Sequence, residues 1–117
     1  MKKRYLVIVI LQSDGSTRVE VYTVSAKATA DSVTYHRNTV CFFFINSEKT
    51  QEELMQEFVN ICLMDKSYTV IGKELAMAQT YFIPEENLHF LAGATISFTN
   101  VKMSVEELIQ QGFFEII

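Results

Sequence analysis

The sequence predicts an α+β domain, mainly antiparallel β-sheet with two helices, in the order ββββα-ββββα. Three observations support this prediction. Apolar or alternating runs typical of strands are separated by short turn signals. Two capping boxes each precede apolar residues at helical spacing. Finally, a segment of the first half is closely matched by a segment of the second half, which suggests that one strand-to-helix unit occurs twice.

The length and composition are those of a single folded domain. The chain has 117 residues, of which 49% are hydrophobic and 21% charged, with one Pro and four Gly. This length can bury a core without disulfides or metal, and the few Pro and Gly leave little sequence for linkers. The basic residues 2–4 and the apolar run after them imitate a signal peptide, but no small-residue cleavage site follows and no segment approaches the length of a membrane span. We therefore expect one cytoplasmic domain over residues 1–117.

The chain is predicted to begin with a β-hairpin. Asp14-Gly15 separates residues 5–11 from residues 17–25, and this dipeptide favours a tight turn because both of its residues tolerate positive φ. Residues 5–11 are apolar on both faces, which predicts a strand in the centre of a sheet or under a helix. Residues 17–25 alternate between polar and apolar side chains, which predicts one wet and one buried face. Two further strands are predicted at residues 33–37 and 40–45.

A helix is predicted after the fourth strand. Thr50 and Glu53 have the spacing of a capping box, in which each side chain bonds the backbone N–H of the other residue. Apolar residues then recur at helical spacing from Leu54 to about Met64. This periodicity places Cys62 on the apolar side of the helix.

The second half is predicted to repeat the order of the first. Strands are expected at residues 68–71, 75–83, 88–91 and 94–99. Residues 73–82 could instead be helical, because Ala, Leu and Met favour helix, although we prefer strand. Ser104 and Glu107 form the second capping box, and Gly112 is expected to end that helix in the left-handed conformation. Residues 113–117 are too apolar for a loose tail and should dock on the core or add a last strand.

The matching segments suggest internal duplication. Residues 44–56 and 98–110 are identical at six of thirteen aligned positions, and in both a Phe-x-Asn strand end precedes the helix start by the same spacing. Glu-Glu-Leu-x-Gln is a common helix opening, so convergence is the alternative. We interpret the match as a pseudo-duplication with units 1–64 and 65–117.

No pattern typical of catalysis, metal binding or cofactor binding is found. The two His and two Cys include no His-x-x-His or Cys-x-x-Cys pair, and phosphate loops and nucleophile elbows are absent. Cys41 and His36 lie on adjacent predicted strands, but the apolar run after Cys41 should bury its thiol and raise its pKa. We therefore predict a non-enzymatic protein with no metal and no cofactor.

Charge is unevenly distributed along the chain. Before Cys41, six Lys and Arg face three Asp and Glu, whereas from Cys41 onward four face eleven. An acidic surface suits docking on a basic protein partner, because complementary charge speeds association and selects the partner. The predicted contact residues lie at the two helix starts and in the turn before residue 88: Glu52, Glu53, Glu85, Glu86, Glu106 and Glu107.

The preferred function is therefore a protein-binding module. Small acidic chains without catalytic motifs are often inhibitors, immunity-type proteins or accessory factors of mobile elements, which is an association from size and composition alone. Self-assembly through the Phe42–Phe44 strand or Phe113-Phe114 is one alternative. The other is nucleic-acid binding by a sheet face that combines cations with aromatic rings. Its residues are Arg4, Arg18, Arg37, Tyr22 and Tyr35.

Overall fold

The computed structural model has an α+β fold and describes residues 1–58, 62–64, 67–69, 80–98 and 101–117. Its strands are β1 (Lys3–Leu11), β2 (Thr17–Thr23), β3 (Thr39–Ser47), β4 (Cys62–Met64), β5 (Ser67–Thr69), β6 (Tyr81–Ile83), β7 (Thr95–Phe98), β8 (Val101–Ser104) and β9 (Phe114–Ile116). Its helices are α1 (Gln51–Phe58) and α2 (Val105–Gln110), with 3-10 helices at Ala30–Ser32 and Glu85–Phe90. Within these ranges no helix is long and apolar enough to cross a membrane.

Most neighbouring strands pair antiparallel, as predicted, but each sheet also contains one parallel pair. Among the described strands, β2-β1-β3-β6-β9 form a large sheet and β4-β5-β7-β8 form a small sheet. Neighbouring strands run antiparallel except for β6 with β9 and β5 with β7, which are parallel. The prediction of an α+β fold with mainly antiparallel sheet is confirmed.

The predicted N-terminal hairpin is present at the edge of the large sheet. Leu11 lies opposite Thr17, and Gly15 in the connecting loop has a φ of 87°. β1 lies between β2 and β3, and its side chains are buried in a separate cluster on each face of the sheet. This explains why β1 is apolar on both faces, as predicted for a central strand.

One face of the large sheet packs against the helices. Leu54 of α1 and Val105 and Leu108 of α2 form one buried cluster with alternate residues of β1 and β3. Leu54 and Leu108 are 0% exposed. Burial of each such side chain stabilises the fold by roughly 1.5–3 kcal/mol, so the apolar stripes predicted for the two helices do face the core.

The opposite face of the large sheet is covered by the connection between β2 and β3. Its buried residues are Leu6, Ile8, Ile10, Phe42 and Phe44, which pack under Val24, Ala28, Ala30, Val33 and Tyr35. The strand predicted at residues 33–37 is therefore wrong. Strands β1 and β3 already have a neighbour on each side, and Val33 and Tyr35 lie across the sheet instead of extending it.

Two further predicted elements also differ. Residues 88–91 were expected to form a strand, but Leu88–Phe90 belong to a 3-10 helix, whose buried Asn87 side chain binds the start of β3. Cys62 begins β4, so the predicted continuation of α1 to Met64 is wrong. Of the segment predicted as strand or helix at residues 73–82, residues 73–79 lie outside the described residues.

Both predicted helix starts are confirmed. Thr50 N–H donates to Glu53 Oε1 (3.1 Å) and Glu53 N–H donates to Thr50 Oγ1 (3.2 Å). At the second helix, Glu107 N–H donates to Ser104 Oγ (3.1 Å). These bonds satisfy backbone donors that have no partner within the helix. Gly112 has a φ of 82°, as expected for a residue that ends a helix.

The pseudo-duplication is not confirmed. In the first half, β3 of the large sheet leads through residues 48–50 directly into α1. In the second half, β7 belongs to the small sheet and pairs with β8 before α2 begins. The matched sequences therefore share a helix opening, but they are connected to different sheets in different ways.

Candidate functional site

The six glutamates predicted to contact a partner are all exposed, but they lie at two opposite ends of the large sheet. Glu52 and Glu53 begin α1, shortly after the last residue of β3. Glu85 and Glu86 follow β6, which is antiparallel to β3, so they lie at the end of the sheet where β3 begins. Since a nine-residue strand spans roughly 30 Å, the six residues do not form one continuous surface.

The other two glutamates lie at the same end as Glu85 and Glu86. The first residue of α2, Val105, donates its N–H to Ala94 O (3.1 Å), shortly after the 3-10 helix, and Glu85 N–H donates to Ile117 O (2.8 Å). α2 and β9 pack together and are joined by residues 111–113, so they run antiparallel and α2 begins beside the end of β9. We call the resulting group the acidic end: Glu85, Glu86, Glu106 and Glu107.

A buried amide holds part of the acidic end in place. Asn87 is 4% exposed, and its Nδ2 donates to Arg37 O (2.7 Å) and Thr39 O (3.0 Å). These bonds attach the 3-10 helix that begins with Glu85 to the start of β3, and they place Arg37 beside this end of the sheet. The sequence predicted a turn before residue 88, and no local pattern there distinguishes a buried Asn from a solvated one.

A second contact links the acidic end to the segment that covers the sheet. The Tyr35 hydroxyl donates to Glu86 Oε1 (3.3 Å). Partial desolvation and the nearby Glu86 carboxylate raise the pKa of Tyr35 above its usual value. Glu86 is therefore positioned by the fold, while it stays exposed to solvent.

Three of the residues proposed for nucleic-acid binding lie on one face of the large sheet. The register Leu6–Tyr22 and Ile10–Arg18 places Tyr22 and Arg18 on the face that Tyr35 covers, and Arg4 lies on the same face. The Arg4 guanidinium, however, donates to Ala28 O (3.0 and 3.3 Å) and sits 4.4 Å from the centre of the Phe44 ring. This cation contributes to the packing of the face.

The remaining polar groups of that face bind one carboxylate. Arg18 Nη2 lies 3.1 Å from Glu20 Oε2, and the Tyr22 hydroxyl donates to Glu20 Oε1 (2.7 Å). That hydrogen bond raises the pKa of Tyr22. The centre of this face is covered, whereas Arg18 and Tyr22 at its β2 edge stay exposed and share Glu20 as a partner.

The aromatic residues predicted to mediate self-assembly lie mostly in the core. Phe42, Phe43 and Phe44 are buried, as is Phe114, and Phe113 is half-buried. Phe42 stacks on Phe82 with ring centres 5.4 Å apart. Residues 42–44 therefore belong to the core of the fold.

The Cys41 thiol is not activated. Burial raises the pKa of Cys41 to about 12, as the apolar sequence around it predicted, and a thiol is nucleophilic only when it is deprotonated. His36 is exposed, and its Nδ1 accepts a hydrogen bond from Asn38 N–H (3.0 Å). Among the described residues, no three His, Cys, Asp or Glu side chains lie close enough together to hold a metal ion.

We expect Cys41 to resist thiol reagents in the folded protein. A variant with Cys62→Ser leaves Cys41 as the only thiol. At pH 8 its reaction with Ellman's reagent should be at least ~100-fold slower in buffer than in denaturant, because unfolding returns the pKa to about 8.5. Equal rates in the two conditions would show that Cys41 is accessible and ionised in the fold.

Comparison with known proteins adds no family or relative. No protein-family model, no curated protein and no solved structure matches this chain. Any function assigned to the acidic end therefore depends on its geometry and charge.

Proposed function

We propose that this chain is a non-enzymatic protein-binding module that docks its acidic end on a basic partner, as a small inhibitor, immunity-type protein or accessory protein does. One observation carries the proposal. The fold brings the glutamate pair of the 3-10 helix and the glutamate pair of α2 to the same end of the large sheet. These pairs are about twenty residues apart in the sequence, so their location at one end of the sheet depends on the fold.

The arrangement suits recognition by charge. Single exposed ion pairs contribute only about 0–1 kcal/mol, but several carboxylates on one surface raise the association rate and exclude acidic partners. The half of the acidic end that carries Glu85 and Glu86 is also held before binding, because Asn87 and the Tyr35–Glu86 bond attach its 3-10 helix to the sheet and its covering segment. Binding therefore costs little additional conformational entropy.

Matched charge reversals test this proposal. The variant Glu106→Lys/Glu107→Lys changes the acidic end, and Glu52→Lys/Glu53→Lys makes the same change at the start of α1. Each variant loses one capping glutamate, so their effects on helix stability should be similar. We expect affinity capture from host extract, quantified by mass spectrometry, to lose basic partners with the first variant and to retain them with the second.

The salt dependence provides an independent readout. Capture by the wild type should weaken as salt rises from about 0.05 to 0.5 M, because the screening length falls from over 10 Å to about 4 Å. Equal recovery of the same partner with both reversals, each shown to be folded by circular dichroism, would exclude the acidic end as the docking surface.

A further inference from the structure

The β2 edge of the large sheet is protected by α1. Val24 N–H, just after β2, donates to Arg4 O of β1 (3.0 Å). Because the direction of the backbone N–H and C=O groups alternates along a strand, those of the odd-numbered residues of β2 point away from β1. The outward carbonyl of Val21 accepts a hydrogen bond from the Gln51 side chain of α1. A covered edge of this kind resists pairing with another chain.

The opposite edge, β9, is open in the part of the chain that the structure describes. Ile117 N–H donates to Ile83 O (2.9 Å), so the odd-numbered residues of this segment face β6. The N–H and C=O groups of Phe114 and Ile116 therefore point away from the sheet. None of the described residues forms a hydrogen bond with these groups.

The surroundings of the β9 edge combine apolar and acidic side chains. Ile116 is 39% exposed and Ile117 is 38% exposed. Glu115 is also exposed and lies on the face of the sheet opposite Ile116. The acidic end lies where β9 finishes, so this edge suits an extended segment in which basic and apolar residues alternate.

Charge argues against a second copy of this chain as the occupant. Antiparallel pairing of two β9 strands would bring the two Glu115 side chains close together, and like charges on paired strands are destabilising. Each copy would also bring its own acidic end to the contact. A basic segment instead places cations near Glu115 and the acidic end.

We propose that β9 accepts an extended, basic peptide segment as an added strand of the large sheet. The exposed Ile116 supplies main-chain hydrogen bonds, and Glu115 with the acidic end selects lysine and arginine side chains. This inference rests on the proposed function and narrows it. The partner contributes an extended segment to the β9 edge, in addition to any folded surface that meets the acidic end.

A defined peptide tests strand addition. The probe is a fluorescein-labelled peptide of alternating Lys and Val, and its control is the same peptide N-methylated at alternate residues on the side that pairs. N-methylation removes main-chain donors and keeps the charge. Fluorescence anisotropy should show binding of the first peptide, with at least ~10-fold weaker binding of the second. Equal affinity would show that only charge is recognised and would overturn the proposal.

Proline variants test the edge from the side of the protein. Ile116→Pro removes an outward N–H and leaves the pairing with β6, and proline is tolerated at such edge positions. We expect it to weaken peptide binding at least ~10-fold. Thr23→Pro makes the same change at an exposed outward position of β2 and should leave the affinity unchanged within about twofold.

The outcomes separate this inference from the proposed function. If Glu106→Lys/Glu107→Lys abolishes peptide binding but Ile116→Pro and N-methylation do not, strand addition is wrong and acidic docking stands. If Ile116→Pro and N-methylation weaken binding while the charge reversal changes neither peptide binding nor host capture, the β9 edge stands and the acidic end is wrong. A dimer in light scattering that becomes a monomer with Ile116→Pro would identify a second copy as the occupant and overturn the proposal.

Discussion

Replacement of Phe42 by alanine is expected to reduce the free energy of unfolding by about 4 kcal/mol, because Phe→Ala changes in cores cost roughly 3–5 kcal/mol. The Phe42 side chain is 0% exposed. Its ring centre lies 5.7 Å from that of Tyr35 and 5.4 Å from that of Phe82. The loss would affect both the sheet and the segment that covers it. Because small domains are stable by only about 5–15 kcal/mol, this is a large fraction of the total.

Urea denaturation followed by far-UV circular dichroism measures this change. Phe42→Leu is the matched control, since it keeps most of the side-chain volume and should cost less than about 1.5–2 kcal/mol. A second effect is expected in hydrogen exchange. The covering residues 24–35 should lose protection in Phe42→Ala, because Tyr35 loses the ring on which it stacks. A change below about 1 kcal/mol would mean that this face is not a packed core.

Replacement of Asn87 by alanine is expected to cost about 2–3 kcal/mol. The Arg37 and Thr39 carbonyls both lose their side-chain donor, and a buried group left without a partner costs about 1–3 kcal/mol. The 3-10 helix that carries Glu85 and Glu86 also loses its attachment to β3. We therefore expect partner binding to weaken together with stability.

Thermal or urea unfolding measures the change in the free energy of unfolding. Glu85→Ala is the control, because Glu85 is exposed on the same 3-10 helix. That control should change stability by no more than about 0.5 kcal/mol. If Asn87→Ala unfolds at the same denaturant concentration as the wild type, the amide does not hold the acidic end. Asn87→Asp should be no milder than Asn87→Ala, since an ionised carboxylate cannot donate to the two carbonyls.

Local patterns in the sequence predicted the elements that depend on neighbouring residues. The hairpin around Gly15 follows from turn chemistry, and the helix starts at Thr50 and Ser104 follow from side chains that bond backbone groups three residues away. The central position of β1 follows from apolar residues on both of its faces. Each of these features depends on interactions within a few residues, so it can be predicted without knowledge of the fold.

The wrong predictions concern segments whose structure depends on distant residues. Residues 33–37 have strand-like side chains, but these side chains cover Phe42 and its neighbours instead of pairing at a strand edge. Residues 88–90 belong to the 3-10 helix Glu85–Phe90, whose Asn87 binds carbonyls about fifty residues earlier in the sequence. The match between residues 44–56 and 98–110 reflects a shared local pattern at the start of a helix. It does not indicate which sheet the preceding strand joins.

The candidate site shows the same division. The sequence alone determined that this chain is acidic from Cys41 onward and that six glutamates lie at predicted helix or turn starts, and it predicted the raised pKa of the Cys41 thiol. Only the tertiary structure decided that Glu85, Glu86, Glu106 and Glu107 share one end of the large sheet while Glu52 and Glu53 lie at the other, and that β9 is an open edge among the residues the structure describes. The physical reason is that helix caps and apolar periodicity arise from contacts between near neighbours, whereas strand order and the position of a charged end arise from pairing between segments far apart in the chain.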